Sequence, residues 1–420
     1  MTVGVVGAGI TGLALCHHLV ARDVPVRVFE ADERPGGAIR STVTEGSVLE
    51  HGPQRLRGSP GVDELVEAVG LADEVVTGPS DLPLFVYADG ELRTVPTSVR
   101  RFLGTDLLSW RGKLRVLAEP LTKPGQPDET AAELFRRKFG DEAYENMLGP
   151  MFGGLYGSDP ERMPVSAALS GLLRLEAEAG SLLRMAVGRT FGGGQSSPPM
   201  SFEAGLQRLP DGLAAHYADH VSLGRPVTGI EPRDDGFRVM ARGEFMAADE
   251  VVLTTPADAT ADLLEPLDAE AATVLRGLTY NPLAIVHLRA DVDARGMGYQ
   301  VRHDEGLATL GVTWNDALFD REGLFTAFLG GMRNPGLVDD DPAAIGRRAS
   351  SEFEQVMGTP AEVLNVTRLP RAMPAWDESW AALDDLSLPE GLHLATNYTG
   401  RVGIPSRIRV AEGLAERFAA

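Results

Sequence analysis

The residues best placed to do chemistry stand at the start of the chain. Thr2-Val3-Gly4-Val5-Val6 runs into Gly7-Ala8-Gly9-Ile10-Thr11-Gly12, and Glu30 follows 18 residues past Gly12, after the apolar run Val24 to Phe29. This order predicts a buried strand, a G-x-G-x-x-G turn, a helix and a second strand ending on an acid. Glycine lets the turn bend tightly and lets the backbone approach a pyrophosphate, while the helix opening near Ile10 aims its positive end at the phosphates. The Glu30 carboxylate can accept both hydroxyls of a ribose and would repel a 2′-phosphate, so FAD or NAD is expected in preference to NADP. Arg34-Pro35-Gly36-Gly37, with Arg40 shortly after, supplies a second close backbone approach and cations able to neutralise phosphate. That suits a longer ligand with a ring system to cover.

Other constellations are poorer. His216 and His220 have helical i, i+4 spacing, but Tyr217-Ala218-Asp219 between them lacks the glutamate of a zinc-protease motif and no third ligand is evident, which reads as solvated helix surface. His17 and His18 sit on the first helix behind the glycine turn, where packing and surface roles are expected. No G-x-S-x-G is present. Asp339-Asp340-Asp341 before Pro342 reads as an acidic helix entry, and no metal site is expected anywhere.

The elements that must position the glycine turn can be read along the chain. Residues 1 to about 75 alternate strand and helix, the first helix running from Leu13 to Arg22. Leu82 to Pro96 reads as a hairpin about Asp89-Gly90. Residues 97 to about 190 are mostly helical, with apolar spacing over Thr130 to Phe139 and Leu169 to Met185. Gly192 to Pro199 reads as a linker. Val221 to Ile230, Gly236 to Ala241 and Glu250 to Thr255 read as short strands, and His393 to Phe418 as strand, glycine turn and helix.

With 420 residues the chain exceeds one hydrophobic core, and 43% hydrophobic with 24% charged residues is ordinary for a globular protein. Cys16 is the sole cysteine, which excludes disulfides and cysteine metal sites. No apolar run of membrane-spanning length and no secretory pattern is found, so a cytoplasmic protein is expected. The net charge of −21 argues against nucleic acid as a partner. Only Lys113, Lys123 and Lys138 are lysines, against 36 arginines; this suits either a high-salt cytoplasm or a GC-rich genome. Thr97 to Lys123 is locally +4, with Phe102, Leu103, Leu107, Leu108, Trp110 and Leu114 interleaved. It suits peripheral contact with a cytoplasmic membrane surface, the alternative being a helical cap or solvated face.

The two glycine pairs resemble the FAD signature of amine-oxidase-like flavoproteins, and dispersed segments extend the likeness along almost the whole chain. Glu50-His51-Gly52-Pro53-Gln54-Arg55-Leu56-Arg57, Gly149 through Val165, Glu176 with Gly180-Ser181-Leu182, Phe202 through Pro210, and Asn397-Tyr398-Thr399-Gly400 through Val402-Gly403-Ile404-Pro405 resemble, in order and spacing, the protoporphyrinogen/coproporphyrinogen oxidases. Arg401 is an apparent insertion beside the expected flavin segment, Ser406-Arg407 replace an acid often found there, and Ser158 stands where glycine is usual.

The resemblance implies a mixed α/β fold in three parts: a Rossmann-like FAD domain from 1–75, 200–260 and 386–420, a mixed-sheet substrate domain from 76–96 and 261–385, and a helical lobe over 97–199. It implies a six-electron oxidation of protoporphyrinogen IX or coproporphyrinogen III, with oxygen as acceptor and hydrogen peroxide as product. Little acid–base machinery is then needed, and no catalytic side chain is named. FAD contacts are expected from Gly7, Ala8, Gly9, Thr11, Gly12, Glu30, Ala31, Arg34, Gly36, Gly37, Arg40, Gly52, Pro53, Val227, Tyr398, Val402, Gly403 and Ile404. Arg57 is expected to pair with a propionate, and Gly154 and Tyr156 to line the macrocycle. Arg401 and Arg407 are further candidates for carboxylate binding. A flavin amine oxidase or desaturase, and a non-catalytic FAD protein, stay open as alternatives.

Overall fold

The computed structural model describes residues 1–191, 197–400 and 403–420, in two compact units. The first comprises Met1–Thr77, Ser197–Leu278 and Ala382–Ala420. Its centre is a five-stranded parallel sheet in the order Val221–Ser222, Val26–Phe29, Val3–Val6, Glu250–Leu253, Leu392–Leu394. Strand Val3–Val6 is buried along its whole length, as a central parallel strand covered on both faces must be. Helix α1 (Ile10–Val20) is buried on nearly every side, and the C-terminal helix Ile404–Ala419 packs against it. Cys16 is fully buried in this core, and burial pushes its thiol up to about 12. An antiparallel meander of Val227–Arg233, Gly236–Ala241 and Glu244–Ala248 completes the scaffold with smaller sheets.

Residues 261–278 belong to this unit. Helix Ala257–Leu264 spans the expected boundary at 260, packs on Val227–Arg233, and carries Ala269–Arg276 with it. Helix Arg208–His216 stops one residue before Tyr217, so His216 and His220 do not share a helical face. His220 instead places Nδ1 3.1 Å from the Val26 carbonyl.

The second unit comprises Gly78–Ser196 and Thr279–Ala381, so the helical stretch clusters with the larger sheet. That sheet has seven strands, antiparallel except where Gly298–Val301 runs parallel to Leu84–Ala88. The hairpin Leu84–Ala88 and Glu91–Thr94 turns on Asp89 (φ 55°) and Gly90 (φ 78°), the left-handed pair that a two-residue turn demands. Helix Ala131–Phe139 opens with a reciprocal capping box between Thr130 and Glu133. Asp341 caps helix Pro342–Met357, accepting from the Ala343 and Ala344 N–H groups.

The helical spacing over Leu169 to Met185 resolves into two helices, Ser170–Ala179 and Leu182–Phe191, broken where Gly180 turns left-handed at φ 76°. The break positions Ser181, whose hydroxyl donates to Glu119 Oε2 at 2.6 Å. Glu119 also accepts from the Leu182 and Leu183 N–H groups and from Lys138 Nζ at 3.0 Å, and Lys138 pairs with Glu176 as well. All four side chains are buried.

Candidate cofactor-binding site

Parallel strands release their following loops at one edge, their carboxyl ends, and a dinucleotide binds at such an edge. Val3–Val6 leads there into Gly9 and α1, and Leu392–Leu394 leads into Gly403 and the C-terminal helix. Both helices start on a glycine without a side-chain cap and carry no acid in the first turn. Two positive helix ends thus issue from strands of one sheet, although at the second Pro405 has no N–H and the Ser406 N–H already donates to the Gly403 carbonyl at 3.0 Å.

The three glycines of the turn have different reasons to be glycine. Gly7 lies at φ 105°, and a Cβ there would stand 2.6 Å from Thr254 Oγ1. That hydroxyl donates toward the Val6 and Gly7 carbonyls at 2.9 and 3.0 Å, tying the neighbouring strand to the turn. A Cβ on Gly12 would lie 2.0 Å from the Gly7 carbonyl oxygen, so this glycine lets the helix seat on the strand. A Cβ on Gly9 would meet no protein atom within 4 Å. Packing therefore accounts for Gly7 and Gly12 but not for Gly9, which faces open space where a pyrophosphate is expected.

Glu30 has a second task that spacing did not reveal. Its Oε2 accepts from the Ala8 N–H at 2.7 Å and its Oε1 from the Asp32 N–H at 3.0 Å, so the acid expected at the ribose holds the glycine turn. Each oxygen retains a lone pair for a hydroxyl. Ala8 and Thr11 are buried, and Ala31 is exposed beside Glu30. Gly36 bridges to Gly9, donating to the Ala8 carbonyl at 2.8 Å, and Gly37 (φ 56°) brings its Cβ position 3.6 Å from the Gly9 Cα. The second glycine pair is thus stacked on the first turn.

Arg34 directs its guanidinium at the Pro35, Ile39 and Gly37 carbonyls and at Gln207 Oε1, bracing the loop, while Arg40 is exposed. Gly52 is required because a Cβ would lie 2.0 Å from the Ala38 carbonyl oxygen; Pro53 beside it is half-buried. Val227 opens its strand opposite Ala241 and is half-buried. Tyr398 is fully buried, its hydroxyl donating to Thr260 at 2.9 Å. Gly403 stands at φ 118° and Ile404 is buried. Val402 and Arg401 lie outside the described residues. Arg407 is buried in the first turns of the last helix; one nitrogen reaches the Thr396 carbonyl, while Nε and Nη2 have no partner among the described residues, and burial lowers its pKa.

Arg57 is exposed at the end of the short strand Leu56–Arg57 and donates to the Ser197 carbonyl at 2.7 Å. Arg55 was read only as part of the segment Glu50 to Arg57 and given no site role, although a spacing of two puts side chains on one face of extended chain. Burial first, and then the neighbouring Arg57, draw its guanidinium down to about 10. In the second unit, Gly154 is explained by packing, since a Cβ would overlap Gln300 Oε1. Tyr156 ends the helix Gly149–Tyr156. Ser158 is buried, donating to the Ala375 carbonyl at 2.5 Å and accepting from Asn281 at 2.8 Å, which gives the hydroxyl a structural reason to replace glycine.

The orphan donors, the space over Gly9 and the acid at Glu30 fit FAD. The model of the flavin-containing amine oxidoreductases matches residues 10–408. Human protoporphyrinogen oxidase is 30% identical over 359 residues, 76% of this chain and 74% of its own length. Coproporphyrinogen III oxidase of Staphylococcus aureus is 26% identical over 422 residues, 89% of this chain and 88% of its own. A crystal structure from Exiguobacterium, ascribed to a protoporphyrinogen oxidase, shares the fold with a TM-score of 0.81 at 24% identity, covering 100% of this chain and 98% of that one. The chain belongs to the flavin-containing amine oxidoreductases, grouping there with the protoporphyrinogen and coproporphyrinogen III oxidases, and is an FAD-dependent oxidoreductase.

Proposed function

We propose that the protein oxidises a porphyrinogen to the porphyrin, removing six hydrogens as three molecules of oxygen become three of hydrogen peroxide. The observation that carries this reading is the pair Arg55 and Arg57 beside Gly52-Pro53: Arg55 is half-buried, Arg57 is exposed and helps to lower the Arg55 pKa, and two cations so placed suit a ligand bearing carboxylates. The names of the relatives supply the macrocycle. When bound, FAD supplies the hydride-accepting chemistry. The chain's own part is to hold the dinucleotide by the Gly9 and Gly403 helix ends and Glu30, and to anchor propionates so that the macrocycle stays in register.

Coproporphyrinogen III carries two more propionates than protoporphyrinogen IX, and the second arginine favours it as substrate. The test adds each chemically reduced porphyrinogen to purified holoprotein and follows porphyrin fluorescence and peroxide. Three peroxides per porphyrin are expected, with Arg57→Ala lowering kcat/KM about ten- to hundred-fold at unchanged FAD content. Anaerobic turnover with NAD in place of oxygen would overturn the acceptor, and oxidation of amines in place of both porphyrinogens would overturn the substrate.

We also propose peripheral membrane contact through residues 97–123, on the cytoplasmic side. Of the large exposed apolar side chains among the described residues, Val99, Leu103, Trp110, Leu114, Leu117 and Leu121 all fall in this basic stretch. No described helix is long and apolar enough to cross a membrane. Co-sedimentation with anionic vesicles, lost in Leu103→Glu/Leu114→Glu, is the expected result.

A further inference from the structure

Behind the cofactor edge, two consecutive histidines of α1 are buried. His17 and His18 are 7% and 1% exposed, their rings meeting edge to face with centroids 4.9 Å apart. Both face Glu64 of the helix Pro60–Ala68. Glu64 Oε1 stands 3.0 Å from His17 Nε2 and 3.7 Å from His18 Nδ1. One ligand atom from each of the three lies within 4.8 Å of the others. Ligand atoms held by one ion at about 2.1 Å stand roughly 3–4 Å apart. Two of the separations are already in that range.

The surroundings suit an ion more than a plain hydrogen bond. Tyr217 places its hydroxyl 2.7 Å from His17 Nδ1. With the Nε2 lone pair given to a metal, the ring proton sits on Nδ1 and donates to that hydroxyl, the outer contact that fixes tautomer and orientation in metal-binding histidines. Glu64 is about half exposed, so an ion can enter from its side and complete its coordination with water. His18 Nε2 is buried with no hydrogen-bond partner among the described residues, so His18 would bind through Nδ1 without the outer contact that His17 has.

We propose that His17 Nε2, His18 Nδ1 and a Glu64 oxygen form a binding site for a borderline divalent transition metal, with Zn²⁺ as the representative ion. Two imidazoles and one carboxylate select the zinc, nickel and copper class over magnesium and calcium, which take oxygen ligands. The ion would clamp α1 to the helix Pro60–Ala68. His17 lies seven residues beyond Ile10, about 11 Å along the helix from the glycine turn, so the metal would not touch the dinucleotide. Success or failure here is therefore separable from the proposed oxidation.

The experiment uses untagged holoprotein, cleared of metal with a chelator and titrated with Zn²⁺ against a chromophoric competitor. One equivalent should bind, millimolar Mg²⁺ should not displace it, and the melting temperature should rise with Zn²⁺. Glu64→Gln, at a half-exposed position, should keep FAD content and the flavin spectrum while losing both the tight equivalent and the thermal shift. Tyr217→Phe should weaken Zn²⁺ about ten- to hundred-fold. Absence of a Zn²⁺ equivalent in the wild type, equal competition by Mg²⁺, or undiminished binding by Glu64→Gln would each overturn the site.

Discussion

The carboxyl edge of the parallel sheet and the buried cluster around Lys138 are both rich in polar groups, and the chain treats them oppositely. At the edge, two helices begin on uncapped glycines and Arg407 keeps two buried nitrogens without partners among the described residues. Around Lys138, a fully buried ammonium meets Glu119, Glu176 and the Thr122 hydroxyl, and Glu119 is further held by Ser181 and two backbone N–H groups. Unsatisfied donors are costly in a finished interior and sensible where a ligand completes them. The first region is therefore built around something the chain does not contain, and the second around itself.

The sharpest way to break this contrast is inside the glycine turn. Gly12→Val pushes a side chain into the Gly7 carbonyl and should abolish soluble folded protein, measured by yield and circular dichroism. Gly9→Val points into open space and should leave an apoprotein that melts cooperatively but is colourless. Equal loss of fold in both would show that Gly9 is a packing residue.

Lys138→Met tests the other region. It leaves two buried carboxylates uncompensated and should cost about 3–5 kcal/mol in denaturant unfolding. Burial raises the Glu119 pKa, but hydrogen bonds from Ser181, the Leu183 N–H and Lys138 outweigh it and leave the carboxyl below its ordinary range. A lowered folded pKa contributes stability that is present above the unfolded pKa and lost as pH falls through the folded one. The wild type should thus lose this increment on acidification, and Lys138→Met should show a shallower loss across the same interval. A smaller effect is expected of Thr130→Ala, which removes half of a capping box and should cost about 1 kcal/mol without changing FAD content.

Local chemistry made several elements legible. The glycine turn and the Asp89-Gly90 hairpin follow from left-handed conformations and close approaches that few residue types allow, and Asp341 before Pro342 from the capping needs of one helix end. The likeness of dispersed segments to a known family carried the cofactor. The same local signals misread the stretch about Gly180, where apolar spacing continues through a break, and His216 with His220, where the helix ends between them.

By itself, then, the amino-acid sequence determined where the backbone must turn and which acid follows the second strand, because these depend on residues within one short strand–turn–helix–strand unit. Tertiary structure alone decided that His17 meets Tyr217 and Glu64, that Glu119 meets Ser181 and Lys138, and that Gly154 is reserved by Gln300. Those partners lie tens to hundreds of residues apart, and each pairing exists only because packing of the apolar core brings otherwise independent segments together.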